Sequence, residues 1–261
     1  MIDEVSLTVP RHALSPHHRV RAGEVWRLLQ TVAVDSSARR GWPPARYKAE
    51  GVSFIVSRMT VQHHRQLTAG ESPLAHTWVH DFRRGMISRR EIRITHQGEP
   101  IASTSQQWVH ISSTKMKPVR ASADMLAAFQ THDSGEPAIK LPSVTQCTGQ
   151  EWDVSFPCWH SWMDVLSHAN HPHYIDWCDE AIMRRVAAGG ADPHALVPVM
   201  EEVHFRRGVV GGQQVVVSST LIGTEHDNAV IGHTITADGE IAARATTIRR
   251  LKGADLAALL S

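Results

Sequence analysis

The chain repeats itself, and a repeat of this length constrains what it can fold into. Val61-Gln-His-His-Arg65 leads into Ala69-Gly70-Glu71, and about 142 residues later Val203-His-Phe-Arg-Arg207 leads into Gly211-Gly212-Gln213. Gly98-Glu99-Pro-Ile101-Ala102 is echoed in the same order, at nearly the same offset, by Gly239-Glu240-Ile241-Ala242. Helical spacing repeats too. Val25, Leu28, Leu29, Val32 and Ala33, beside Trp26, mark one helix, and Ile175, Cys178, Ile182 and Val186 mark a second. Tyr174, Trp177 and Ala181 widen the second stripe. A helix apolar over more than half its girth must be covered on several sides.

Strand-like runs follow each helix. Residues 52–63, 74–82, 87–95 and 101–111 alternate after the first, and residues 199–207, 213–224, 229–237 and 241–251 after the second. Gln97-Gly98, Gly211-Gly212, His226-Asp227-Asn228 and Asp238-Gly239 supply the turns. One wide-faced helix followed by antiparallel strands, twice over, predicts an α+β chain in which a sheet wraps each helix and the two sheets meet edge to edge. Residues 113–157 carry Pro118, Gly135, Pro137, Pro142, Gly149 and Pro157 and read as a linker holding a short helix at 123–129. The expected division is therefore residues 1–112, linker 113–157, and residues 158–261. Residues 254–260 are expected to close the chain as a short helix.

Composition narrows the function. Of 261 residues, 42% are apolar and 20% charged, as in a soluble globular protein that buries a core. No apolar run approaches the ~20 residues that a membrane span needs. A net charge of +1 argues against a dedicated nucleic-acid binder. Met1–Pro10 holds two acids and no apolar core, unlike a signal peptide. Three cysteines without CxxC spacing argue against a disulfide scaffold and suit a reducing cytoplasm. A monomeric pseudo-dimer or a homodimer is the expected assembly, and no cofactor is expected.

Chemistry concentrates in Trp162-Met-Asp164-Val-Leu166-Ser-His168-Ala-Asn170-His-Pro-His-Tyr174, just before the second helix. A carboxylate and an imidazole four residues apart can activate water. Asn170 or His171 is expected near the N-cap, with Pro172 in the first turn. Free backbone N–H groups there can bind a developing oxyanion.

This stretch resembles the D-x-N-x-H-V-N-N-x-K-Y motif of the acyl-acyl carrier protein thioesterases, which have tandem hotdog folds. Asp164 falls on the motif's Asp, His168-Ala169-Asn170 on H-V-N, and Tyr174 on its Tyr. Ile101-Ala-Ser-Thr-Ser105-Gln-Gln-Trp108-Val109, ending in Lys117-Pro118, is similar to the family's I-A-x-A-T-S-x-W-V segment. Phe205-Arg206-Arg207 resembles its Y-R-R strand. The resemblance spans about residues 10–251 and implies thioester hydrolysis, with Asp164, His168 and Asn170 as catalytic candidates. Acyl carrier protein or coenzyme A would carry the substrate, with His171, His173, Tyr174, Arg184 and Arg207 toward it. Three family positions differ. The Asn between Asp and His is Leu166, the second Asn of H-V-N-N is His171, and the carboxylate after Y-R-R is Gly208.

Other readings compete. Asp164 can cap a turn, His168 can be structural, and Asn170 can be a plain helix cap. His168, His171 and His173 lack zinc-site spacing. Cys178, on the buried stripe, reads as a small core residue. Asn170-His-Pro172-His173 superficially resembles the D-x-N-P-x-H pattern of hotdog hydratases and dehydratases, but position 168 is His rather than Asp. A non-catalytic acyl-binding accessory protein is the third reading. The arginine pairs 184–185, 206–207 and 249–250 are either solvated faces or a landing site for an acidic carrier or phosphates.

Overall fold

The computed structural model of the chain describes residues 1–147 and 149–261. The first half runs β1 (Asp3–Ser6), α1 (Ala22–Arg39), α2 (Pro44–Glu50), β2 (Val52–His63), β3 (Leu74–Arg83), β4 (Ile87–His96), β5 (Glu99–Ser112) and β6 (Lys117–Pro118). After α3 (Ala123–Ala128) and β7 (Thr145–Gln146), the second half runs β8 (Glu151–Pro157), α4 (His173–Ala188), β9 (Leu196–Phe205), β10 (Gln214–Glu225), β11 (Asn228–Ala237), β12 (Glu240–Leu251) and α5 (Leu256–Leu260). Each half is one long helix against an antiparallel half-sheet, the tandem hotdog expected of the sequence.

The half-sheets form one twelve-stranded sheet. Its order is β1-β3-β4-β5-β2 and then β9-β12-β11-β10, with β8 and β7 against β10. The second series mirrors the first, so a pseudo-twofold axis passes between β2 and β9. The register there fits that symmetry: Arg58 opposes His204, Thr60 opposes Glu202 and Gln62 opposes Met200. The repeated motifs land on equivalent backbone. His64 and Arg65 N–H both donate to Ile101 O, and Arg206 and Arg207 N–H both donate to Ala242 O. The Gln97-Gly98 and Asp238-Gly239 turns each place two residues at positive φ, which the tight hairpin twist requires.

Both wide helix stripes are covered. Val25, Trp26, Leu29, Val32 and Ala33 of α1, and Tyr174, Ile175, Trp177, Cys178, Ala181, Ile182 and Val186 of α4, are buried. Most of them join one core cluster with Val61, Ile92, Val203, Val217 and Ile235 from the concave sheet face. The strands occupy nearly the expected spans. In the stretch expected as linker, β8 nonetheless pairs with β10 over Gln214–Thr220, as β1 pairs with β3 in the first half. The second strand of the repeated motif ends at Phe205, so Arg206 and Arg207 lie beyond it and not on a strand as expected.

Candidate functional site

The segment before α4 is a tight loop with a counterpart before α1. Met163 bridges Ala169, as Leu14 bridges Val20, and the left-handed Ser167 (φ 61°) matches the left-handed His18 (φ 55°). Asp164 N–H donates to His168 O at 2.8 Å, and Ser167 N–H donates to Asp164 O at 3.0 Å. The loop thus brings the backbones of Asp164 and His168 together. By the same register the first loop carries Ser15 and Arg19 where the second carries Asp164 and His168. At these two positions the second loop carries a carboxylate and an imidazole where the first carries a hydroxyl and a guanidinium, and the first loop's own imidazoles, His17 and His18, stand at the positions of Leu166 and Ser167.

Asp164 is half-buried, and its Oδ1 accepts the Leu166 N–H at 2.8 Å. That bond is the turn cap foreseen as the alternative role for this residue. Among the described residues, no protein donor reaches Oδ2. The His168 ring lies against Gly208: a Cβ added at 208 would stand 2.1 Å from His168 Cδ2. The imidazole therefore occupies the space where a side chain at the family's carboxylate position would begin. His160 lies on Gly211 in the same way, with Nδ1 only 2.4 Å from a Cβ added there. The segment from 206 to 213 is held to this loop by Ala169 N–H to Val209 O, Cys158 N–H to Gln213 O and Gly212 N–H to Cys158 O.

Three expectations change here. Asn170 does not cap the helix: Pro172 is the N-cap residue, with no side-chain cap. The Asn170 amide instead forms a reciprocal pair with Gln30 of α1, both bonds 2.9 Å long. The first-turn N–H groups are also committed, since His173, Tyr174 and Ile175 donate to Asn170 O, His171 O and Pro172 O. Among the described residues of this turn, His171 N–H is left without a protein acceptor and is the donor an oxyanion could meet.

The other candidates surround this loop without all joining it. His171 is packed among Trp26, Trp108 and Phe205, each with a ring centroid 6.1 Å away. Burial, with the nearby Arg27 charge and His173, pushes its pKa down to about 3, and its buried Nε2 has no hydrogen-bond partner. His173 stacks near Trp162 at 5.4 Å, and its Nδ1 lies 3.1 Å from Arg27 and 3.3 Å from Asp176. Arg27 also pairs with Asp176 at 2.5 Å and with Glu24 at 3.2 Å, tying α1 to α4. Gly23 permits the approach, since a Cβ there would meet Asp176 Oδ1 at 1.9 Å. Tyr174 is buried. Burial raises its hydroxyl pKa, the Cys158 and Asp164 charges raise it further, and the Val209 backbone and Arg207 oppose them. Arg207 pairs with Glu240, while Arg184 pairs with Glu180 one helical turn away on an exposed face. Trp159, 59% exposed, stacks on Trp162 at 4.9 Å beside the loop.

Sequence reasoning missed a buried charge cluster at the junction of the halves. Glu201 and Arg249 are fully buried. Glu201 bonds His63 at 2.7 Å, Trp26 Nε1 at 3.2 Å and Arg249 at 2.6 Å, and Arg249 Nε donates to Asp179 at 2.8 Å. Burial disfavours the Glu201 charge, but His63 and Arg249 outweigh it and hold the carboxyl at about 2. Consecutive acids inside an apolar strand, Glu201-Glu202, were the available signal. Among the described residues, no group of three or more His, Cys, Asp or Glu side chains could hold a metal ion.

Known proteins share this fold over nearly the whole chain. A candidate oleoyl thioesterase from Lactobacillus plantarum superposes with a TM-score of 0.80 at 18% identity, covering 96% of each chain. An acyl-ACP thioesterase from Bacteroides thetaiotaomicron gives 0.74 at 16% identity, covering 95% of this chain and 98% of that one. The 12:0-ACP thioesterase from Umbellularia californica gives 0.72 at 14% identity, covering 96% and 98%. No protein-family model matches the sequence, and no curated protein matches it.

Proposed function

We propose that the chain hydrolyses an acyl thioester carried on acyl carrier protein or coenzyme A. The observation that carries this reading is the asymmetry of the two matching loops: Asp164 and His168 stand in the second, Ser15 and Arg19 in the first. One competent site in a tandem fold follows from that asymmetry. The full-length likeness to three proteins named as thioesterases supports it at the level of fold.

In this mechanism the thioester carbonyl sits at the start of α4, with its oxygen toward His171 N–H. His168, whose ring makes no hydrogen bond to protein among the described residues, takes the proton of the attacking water, while Asp164 Oδ2 orients the water or stabilises the resulting imidazolium. The tetrahedral intermediate then expels the thiol, which leaves with that proton. Asn170 serves through its pairing with Gln30, holding α1 against the loop, and does not touch substrate. We assign the first unit to residues 1–112 and start the second at 151, with β8, in a chain that works in the cytoplasm.

Thiol release from a panel of acyl thioesters tests the reading. Asp164→Asn is expected to lower kcat at least ~100-fold, the scale for a positioned acid–base group, and His168→Ala at least ~10-fold. Wild-type turnover in a folded Asp164→Asn protein would leave Asp164 as a turn cap. Absence of turnover on every thioester, with acyl chains retained, would favour the acyl-binding accessory reading.

A further inference from the structure

The chain is nearly balanced in charge, at +1, yet one cleft gathers cations. It has a volume of about 400 Å³ and lies between the end of β2 and the start of β9. Arg19, His64, Arg65, Asn228, Arg250 and Lys252 line it. Arg65 is partly neutralised by Glu71 at 2.8 Å and Glu99 at 3.4 Å. Among the described residues, Arg19, Arg250 and Lys252 form no ion pair, and no carboxylate lines the cleft. Two further acids contact its lining residues and are already engaged: Glu201 by His63 and Arg249, and Glu225 by Asn228 and His226. Unpaired like charges around a concave wall repel one another, so the arrangement gains stability when an anion enters.

The pseudo-twofold axis gives this cleft its meaning. Arg19 matches His168, His63 matches Phe205, and Arg65 with its Glu99 partner matches Arg207 with Glu240. The cleft therefore borders the first unit's counterpart of the candidate catalytic loop, which gives it Arg19, and it draws Arg250 and Lys252 from the second unit. By the β2–β9 register the two places lie roughly 20 Å apart along the strands. We propose that this counterpart site binds the phosphate groups of the thiol carrier, as a phosphate ester of coenzyme A or of a phosphopantetheinyl carrier protein. Guanidinium forks suit phosphate oxygens bidentately and Lys252 adds a point charge, while the Asn228 amide nitrogen already donates to Glu225 at 2.9 Å. The identity of the ligand rests on the thioesterase reading, while the phosphate preference rests on the cleft alone.

Calorimetric titration of the full chain at low salt tests the site with coenzyme A, 3′-dephospho-coenzyme A, pantetheine and inorganic phosphate. Coenzyme A is expected to bind at least tenfold more tightly than pantetheine, with affinity falling as salt rises. Arg250→Glu is expected to remove at least tenfold of that affinity, and Arg250→Lys less, at unchanged melting temperature. A phosphopantetheinylated carrier protein and its unmodified form provide the second arm. Loss confined to the modified carrier assigns the site to carrier protein, and loss confined to coenzyme A assigns it to the free cofactor. Equal binding of coenzyme A and pantetheine, with no effect of Arg250→Glu on either carrier, overturns the proposal. Thiol release from a phosphate-free N-acetylcysteamine thioester separates the two readings. It should be untouched by Arg250→Glu, and absence of thiol release by wild type from this and every carrier-bound thioester would defeat thioester hydrolysis while leaving the phosphate site standing.

Discussion

A side chain at position 208 would begin 2.1 Å from His168 Cδ2, so the missing side chain and the placement of the histidine are one fact. Even a methyl group must turn the ring away or push the 206–213 segment off the loop. Gly208→Ala is therefore expected to cost about 1–3 kcal/mol of stability, the usual range for overpacking. It should also lower kcat as far as His168→Ala does. Gly208→Glu, which supplies the family's carboxylate, should not restore activity, because the carboxylate and the His168 ring cannot share that space. The His168 ring resonances report the outcome. If they and kcat are unchanged in Gly208→Ala, the ring is not held by the glycine. His171 differs in kind: three aromatic neighbours and burial keep it neutral, so the proposed mechanism uses its shape and its backbone N–H and not its ring as a base.

At the scale of elements, what holds the site is the meeting of α1 with α4. Asn170 and Gln30 exchange two amide hydrogen bonds across 140 positions of sequence, and Arg27 reaches Asp176 across 149. Asn170→Ala and Gln30→Ala are each expected to cost about 0.5–1.5 kcal/mol in urea unfolding, with the double variant well short of their sum. Both should lower kcat by similar, modest factors. A large loss for Asn170→Ala alone would instead put its amide on the substrate. Such partnerships explain what the sequence could and could not reveal. The strands were legible because alternation and turn residues are local, and α1 and α4 because their stripes are wide. Asp164, His168 and Tyr174 were legible as a motif. The pairing of Asn170 with Gln30 was not, because that partner lies on another helix. Nor was β8 recognised, since a seven-residue strand among prolines and polar residues declares itself only once β10 is beside it.

Across the whole molecule, the halves are joined through buried charge, and this sets how the protein responds to acid. His233 is buried between Ser219 Oγ at 2.8 Å and Thr247 Oγ1 at 2.9 Å, with the Arg249 charge nearby. Burial first, then Arg249, pushes its pKa down to about 3, as burial does for His171. An unfolded histidine titrates near 6.5. Between about 3 and 6.5 the unfolded chain therefore binds more protons than the folded one. Stability from each group is complete above pH 6.5 and is lost as pH falls through that window, by up to ~1.4 kcal/mol per pH unit. Glu201, held at about 2 against an ordinary 4.5, continues the loss from pH 4.5 downward. Asp179 acts with the opposite sign: burial raises it to about 6 from 3.8, so its contribution falls as pH rises between those values. The wild-type curve sums these effects, and a substitution is needed to separate them. His233→Gln keeps two hydrogen-bonding ends but cannot protonate. Urea unfolding of both proteins from pH 4.5 to 7.5 should show the variant less stable at neutral pH and losing less stability on acidification. The gap between the two curves should narrow by up to ~1.4 kcal/mol for each unit below pH 6.5. Parallel curves would mean that His233 accepts its proton inside the folded protein, beside Arg249, as readily as in water.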